Sequence, residues 1–157
     1  MLDKVFLNII IAVLMDVESD NNPNAIGDNG KAVGILQIHE ICVDDVNRIT
    51  KSNYTYDDRY NVTKSTVICA NYLIYYHDKY VKWYEDNKMF IMHENGHKVE
   101  DYPHPSDVDE ICARLWNGGY AGLKRNPRAT DAYWEKVKKK LNVLRKHGIS
   151  TQAPIID

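Results

Sequence analysis

"MDVESDNNPNAIGDNGKAVGILQIH", residues 15–39, is the stretch of sequence that decides the fold. It starts at the end of an apolar run, crosses a segment rich in Asn and Gly, and closes on Gly34-Ile35-Leu36-Gln37. Turn-forming residues dominate its middle, which leaves room only for a very short β-hairpin around Asp28-Asn29-Gly30. The stretch therefore predicts a helix that ends near Glu18, followed by a tight hairpin whose turn carries Asp28.

The patterns on either side of this stretch predict a chain made mostly of helices. The apolar run from Val5 to Met15 is too short to span a bilayer, and no clear cleavage site follows it, so we interpret it as a core helix over about 3–19. Apolar spacing and capping residues predict further helices at about 39–51, 62–86, 106–119 and 130–147. We therefore expect one mainly α domain over 1–157, with five to six helices, a very small β-hairpin, and a surface loop insertion at 87–105.

Charge and cysteine content limit the function classes. The formal net charge of −2 provides no global basic field for nucleic acid. Residues 121–157 hold nine Lys and Arg against three Asp and Glu, which fits either a solvated basic helix or a surface facing an anionic polymer. Cys42, Cys69 and Cys112 are too far apart for a metal pattern, so we expect buried thiols. No metal or organic cofactor is implied.

Glu18 and Asp28 are carboxylates in different predicted surroundings. Glu18 ends an apolar helix, where partial desolvation would raise its pKa and keep a proton available for a leaving oxygen. Asp28 lies in a polar turn, where backbone N–H groups and water would keep it ionised. Two carboxylates whose pKa values are pushed apart are typical of glycoside cleavage. The alternative is a helix-end charge beside a turn-forming residue.

Two short motifs in this stretch resemble the lysozyme superfamily. Glu18-Ser19 and the Gly34–Gln37 run are similar to the Glu-Ser pair and the Gly-Leu-Met-Gln-like run of goose-type lysozymes and soluble lytic transglycosylases. Asp28 stands where goose-type enzymes place an acidic residue thought to hold the attacking water, whereas many transglycosylases have Ser there. His39 occupies the place of a further goose-type acidic residue. The resemblance implies an α+β lysozyme-like fold with a sugar-binding cleft.

A third motif, "ARLWNGGYAGL" at residues 113–123, resembles the Tyr-Asn-Ala-Gly motif of both families and the His-Asn-Gly-Gly-Pro motif of invertebrate-type lysozymes. Trp116 replaces the usual Tyr, and Tyr120 stands where Pro is common. The Gly118-Gly119 pair would let the backbone approach a ligand closely. With Glu18 and Asp28 as catalytic residues, the resemblance implies substrate contacts from Ser19, Gln37, His39, Tyr75, Tyr76, Trp116, Asn117, Gly118 and Tyr120.

The resemblance implies a muramidase, a glycosidase that breaks the β-1,4 bond between N-acetylmuramic acid and N-acetylglucosamine in peptidoglycan by acid catalysis from Glu18. Because Asp28 is present, hydrolysis is favoured over the alternative, a lytic transglycosylase that forms a 1,6-anhydro product with the same Glu18. Chitin is a lesser alternative, and the retained Glu18 argues against a non-catalytic wall-binding module. We expect a monomer without a clear signal peptide that acts on the bacterial wall, as phage-encoded or virion-associated lysins do.

A competing motif is His93-Glu94-Asn95-Gly96-His97, which fits the H-E-x-x-H pattern of zinc proteases. That chemistry needs both His side chains on one face of a helix, with the Glu beside a zinc-bound water. The Asn-Gly pair in its middle favours a turn instead. We therefore expect a polar surface loop here, with a zinc metalloprotease as the lesser alternative.

Overall fold

The structure, a computed structural model, describes residues 2, 4–89 and 96–146. Within these ranges it confirms the predicted mainly α architecture with one very small antiparallel sheet. No helix in these ranges is long and apolar enough to cross a membrane. The elements are α1 (Lys4–Ser19), β1 (Ile26–Gly27), β2 (Ala32–Val33), α2 (Glu40–Thr50), α3 (Val62–Asn87), α4 (Val108–Arg125) and α5 (Asp131–Lys146).

The chain forms two compact units, and their boundary falls within α3. The first contains α1, the hairpin, α2 and the part of α3 that ends at Ile74, and the second spans Tyr75–Lys146. The expected single domain and the expected cleft stay predictions, so each unit is described by itself below.

Helix α1 supplies much of the core of the first unit. Its apolar side chains occur on most of its faces, and Ile10, Ile11 and Leu14 are almost fully buried. The helix ends at Ser19 because the chain turns into the left-handed region at Asp20 (φ 51°) and Asn21 (φ 61°), which Asp and Asn tolerate better than most residues. The Asn21 N–H then donates to the Met15 carbonyl at 3.2 Å, as in a Schellman motif.

The predicted hairpin is present, and its register is short. Ile26 pairs with Val33 and Gly27 pairs with Ala32, and a single 3₁₀ turn at Asp28–Gly30 joins the two strands. Helix α2 then begins at Glu40 and ends at Thr50, each within one residue of its predicted bound. The polar connection that follows contains a 3₁₀ turn, Tyr56–Tyr60, which the sequence did not indicate.

The second unit departs from prediction at the bounds of α4. The helix begins at Val108 with Asp107 at the N-cap position, so the predicted start at residue 106 was wrong by two residues. The predicted end at 117–119 was also wrong, because helical geometry resumes after a kink at Gly119 (φ 69°, ψ 166°) and continues to Arg125. A 3₁₀ turn, Pro127–Thr130, then leads into α5.

Candidate active site

Glu18 lies in the last turn of α1 and is half-buried. The next residue, Ser19, connects this turn to the Gly34–Gln37 run: its hydroxyl donates to the Ile35 carbonyl at 2.8 Å and accepts from the Asn22 N–H at 3.1 Å. The same hydroxyl also lies 3.2 Å from the Met15 carbonyl one helical turn back. The Glu-Ser pair therefore has a structural explanation, because Ser19 holds the backbone that carries Glu18. A direct contact between Ser19 and substrate stays a prediction.

The Gly34–Gln37 run is a supporting frame for the hairpin. Gly34 has φ +79°, and a Cβ there would lie 2.0 Å from the Arg59 carbonyl oxygen, so only glycine fits. The Gln37 side-chain amide donates to the Gly34 carbonyl at 2.9 Å and to the Ala25 carbonyl at 3.2 Å. Gly34 is thus required for packing and Gln37 for hydrogen bonds inside the protein. The substrate contact of Gln37 stays a prediction.

Arg59, in the 3₁₀ turn after α2, binds the backbone on both sides of the Gly34–Gln37 run. It is only 6% exposed, which is rare for an arginine unless its guanidinium is satisfied. The sequence did not indicate this role, since an arginine that binds backbone carbonyls leaves no spacing pattern. The guanidinium donates to the carbonyls of Tyr56 (2.7 Å), Ile38 (3.2 Å) and Lys31 (3.3 Å), and it lies 3.4 Å from the Glu40 carboxylate.

Asp28 and His39 meet at the exposed side of the hairpin turn. The His39 Nε2 lies 3.6 Å from an Asp28 carboxylate oxygen, and about half of each side chain is exposed. Asp28 (φ 46°) and Asn29 (φ 53°) both adopt left-handed backbone, which non-glycine residues rarely do and which is often found at functional sites. The structure therefore brings together two residues that the sequence analysis named separately. Asp28 as a catalytic residue stays a prediction.

In the second unit, three tyrosines predicted to contact substrate form one aromatic group. Tyr75 and Tyr76 are edge to face with ring centroids 4.9 Å apart, and Tyr76 stacks on Tyr120 at 5.5 Å. All three side chains are half-buried, and burial raises the pKa of the Tyr120 phenol, so that its hydroxyl stays protonated. The group presents both ring faces and phenol hydroxyls, the two features that a carbohydrate ligand uses.

The Trp116-Asn117-Gly118-Gly119 motif lies at the kink in α4. Asn117 is exposed, and Trp116 is half-buried. The space beside Gly118 is taken by the protein itself, because a Cβ there would lie 2.7 Å from the Thr130 Cγ2. Gly119 adopts φ 69°, ψ 166°, a region essentially restricted to glycine. The two glycines are thus explained by packing and by backbone shape, and Asn117 is the member of the motif with its side chain accessible.

Arg114 lies two residues before Trp116, and the sequence did not indicate its role. It is 5% exposed, and its guanidinium contacts the carboxylates of Glu110 at 2.8 Å and Asp131 at 2.7 Å. The same group donates to the Pro127 carbonyl and to the Thr130 hydroxyl. Since Thr130 packs against Gly118, Arg114 fixes the turn that supports the Asn117 motif.

The zinc-protease motif falls mainly outside the described residues, because these do not include His93 and Glu94. His97 is described, and its Nδ1 lies 3.6 Å from the Asp101 carboxylate. In the part of the chain that the structure describes, no group of three or more His, Cys, Asp or Glu side chains is placed to hold a metal ion.

Burial raises the pKa of the Cys42 thiol to about 12, and it also raises that of Cys112.

Comparison with known families bears on the first unit most directly. The family described as Transglycosylase SLT domain matches residues 5–90, which is more than half of the 157 residues. The matched range contains Glu18-Ser19, the hairpin, the Gly34–Gln37 run and Arg59, and it stops before the Asn117 motif. Searches of curated proteins and of solved structures returned no match.

Proposed function

Because the chain belongs to the Transglycosylase SLT domain family, we propose that it is a lytic transglycosylase in which Glu18 acts first as acid and then as base. The members of this family are lytic transglycosylases, and their substrate is peptidoglycan, as the sequence resemblance implied. The observation that carries the proposal is the family match over residues 5–90. The structure supports the proposal because the Ser19 hydroxyl connects the turn that carries Glu18 to the Gly34–Gln37 run.

The proposed reaction needs a single carboxyl group. The Glu18 carboxylic acid protonates the oxygen that links muramic acid C1 to the glucosamine, and the C1–O bond breaks. The acetamido oxygen of the substrate stabilises C1 in the meantime. The Glu18 carboxylate then removes the proton of the C6 hydroxyl, whose oxygen bonds to C1 and closes the 1,6-anhydro ring. Glu18 ends protonated, and no water is consumed.

Hydrolysis is the second candidate, and the Asp28–His39 pair is the observation that favours it. A carboxylate held in a left-handed turn, with an imidazole 3.6 Å away, has the groups needed to orient a water molecule. The presence of Asp28 in the sequence favours this reaction. The family match shifts the preference to transglycosylation, and peptidoglycan rather than chitin is the substrate that the family implies.

The substitution Glu18→Gln tests the assignment of the acid. It keeps the shape of the side chain and removes the proton, so we expect activity on peptidoglycan to fall by about 10²–10⁴-fold with the melting temperature preserved. Glu135→Gln on α5 is the matched control, because that carboxylate is exposed and pairs with the surface residue Lys138 at 3.6 Å. Wild-type activity in Glu18→Gln would overturn the assignment.

The masses of the released fragments distinguish the two reactions, since an anhydro product is lighter than a hydrolysed one by one water. We expect anhydro products from the wild type and from Asp28→Asn alike, with Asp57→Asn as a control in another exposed turn. If hydrolysed products dominate and Asp28→Asn abolishes them, the protein is a muramidase and the transglycosylase proposal is wrong.

We also propose that the protein acts on the bacterial cell wall as a monomer, in the manner of a phage-encoded or virion-associated lysin. The net charge of −2 and the peptidoglycan substrate of the family support a wall polymer rather than nucleic acid as its partner. Light scattering of the purified protein tests the oligomeric state, and a dimeric mass would refute that part of the proposal.

A further inference from the structure

Two lysines flank the aromatic group of the second unit. Lys79 on α3 places its ammonium 4.9 Å from the Tyr120 ring centroid and 5.7–5.8 Å from those of Tyr75 and Tyr76. Lys124 on α4 places its ammonium 4.7 Å from the Tyr120 centroid and 5.5 Å from that of Trp83. We call these six residues the lysine–aromatic cluster. The Tyr120 ring is at its centre, because α3 and α4 each place one ammonium group within 4.9 Å of that ring's centroid.

Within residues 4–89 and 96–146, no acidic side chain pairs with the two lysines of this cluster. Lys82 and Lys88, also from the region of α3, pair with Asp86 and Glu85. Among the residues that the structure describes, neither Lys79 nor Lys124 makes an ion pair with a carboxylate. Both ammonium groups contact the same ring, whose face attracts cations but carries no net negative charge.

Both lysines are at least partly exposed, and each has contacts that limit its position. The Lys79 side chain is exposed, and Lys124 is half-buried. The backbone of Lys124 is fixed by Tyr102, whose hydroxyl donates to the Lys124 carbonyl at 2.9 Å. The contacts with the rings limit where each lysine head can lie, so an anion that approaches the Tyr120 ring meets ammonium groups already placed within 4.9 Å of its centroid.

We propose that Lys79 and Lys124 bind carboxylates of the peptide stem that peptidoglycan carries on its muramic acid units. The cluster contains Tyr75, Tyr76 and Tyr120, which are predicted to contact the sugar, so the lysines extend that surface toward an acidic group. N-acetylglucosamine itself is uncharged, whereas stem peptides end in carboxylates that an ammonium binds at about 2.7–2.9 Å. This inference rests on the proposed function, since it needs peptidoglycan as the substrate.

Phosphate groups of wall polymers share the same chemistry of anion recognition. The stem carboxylate is favoured because it belongs to the cleaved chain itself and accompanies the sugars that the tyrosines contact. The two sources are separated by comparing soluble peptidoglycan strands with and without attached phosphate polymer. Dependence of binding on the phosphate polymer, with none on the stem peptide, would overturn the proposal.

The test uses the double variant Lys79→Gln/Lys124→Gln on two soluble substrates: uncross-linked peptidoglycan strands with stem peptides, and glycan strands from which an amidase has removed them. Exposed ion pairs of this kind change binding only modestly. We therefore expect the ratio of KM with stems to KM without stems to rise by about 2- to 30-fold, with kcat on the stem-bearing strands nearly retained. Lys136→Gln/Lys139→Gln on α5 removes the same charge from exposed positions and is the matched control.

The outcomes separate this inference from the proposed function. If the wild type cleaves neither substrate, the proposed function fails first. If the wild type cleaves both and the Lys79/Lys124 variant keeps the wild-type KM ratio, the proposed function stands and the stem-binding inference is wrong. A purely structural role for the lysines would lower the melting temperature and leave the KM ratio unchanged, and this result would also refute the inference.

Discussion

The substitution Ser19→Ala separates a residue that positions the acid from one that contacts the substrate. It removes the donor to the Ile35 carbonyl (2.8 Å) and the acceptor of the Asn22 N–H (3.1 Å). A typical hydrogen bond contributes about 0.5–1.5 kcal/mol net, so the two together give a loss of about 1–3 kcal/mol. For a chain of this size, that loss corresponds to a decrease in Tm of about 2–12 °C.

The same change should reach catalysis through Glu18. Once the end of α1 is no longer connected to the Gly34–Gln37 run, the carboxyl group loses its fixed position, and misplacement of about 1 Å can cost 10²-fold in rate. We expect kcat on peptidoglycan strands to fall by up to about 10²-fold, with KM changed little. The assays are calorimetric or fluorescence melting and initial rates at several substrate concentrations.

Ser65→Ala is the matched control for this prediction. Ser65 is fully buried, whereas Ser19 is half-buried, and among the described residues the Ser65 hydroxyl donates to the Val62 carbonyl of its own helix at 3.0 Å. It should lower stability slightly and leave kcat at the wild-type value. If Ser19→Ala raises KM while Tm and kcat stay unchanged, Ser19 binds the substrate directly, and the reasoning from its hydrogen bonds is refuted.

Two further predictions concern stability. Burial lowers the pKa of His77 below its ordinary value of 6.5, so the stability gained by keeping it neutral is complete above about pH 6.5 and is lost as the pH falls toward the folded-state pKa. Urea unfolding at a series of pH values should show that the free energy of unfolding decreases less on acidification in His77→Leu than in the wild type. An equal decrease in the two proteins would contradict this cause. Gly34→Ala should cost at least about 2 kcal/mol because it adds a clash with Arg59 to backbone strain, whereas Gly30→Ala (φ +89°, open space) adds strain alone. Equal losses in the two variants would refute the packing argument.

The helices of the first unit were predicted to within about one residue because their signals are local. The apolar run of α1, the left-handed residues after Ser19 and the turn Asp28-Asn29-Gly30 each determine structure over only a few positions. The family resemblance was also predictable from short motifs, and the match over residues 5–90 confirms it.

The bounds of α4 show where local signals fail. The Gly118-Gly119 pair has the composition of a helix end, but the structure uses Gly118 for contact with Thr130 and Gly119 for a kink. A sequence does not distinguish a glycine that ends a helix from one that bends it, because both need the same conformational freedom. The distinction depends on a residue, Thr130, that lies in a later turn.

The supporting arginines were not predictable for a different reason. Arg59 and Arg114 are both nearly buried, although arginine is mostly an exposed residue, and several of their partners are backbone carbonyls that any residue type provides. The pairing of Asp28 with His39 likewise depends on the hairpin bringing two chain positions together. Contacts of this kind follow from the fold and leave no periodicity in the sequence.

The position of Arg59 has a consequence for protein engineering. The Glu18-Ser19 and Gly34–Gln37 motifs end at Gln37, but the guanidinium of Arg59 that holds their loop reaches the Lys31 and Ile38 carbonyls from 28 and 21 positions farther along the chain. A graft of residues 18–40 onto another helical scaffold would therefore transfer both motifs without the arginine that holds their loop. The smallest transferable module of this protein extends at least through Arg59, and a designer should copy that module as one piece.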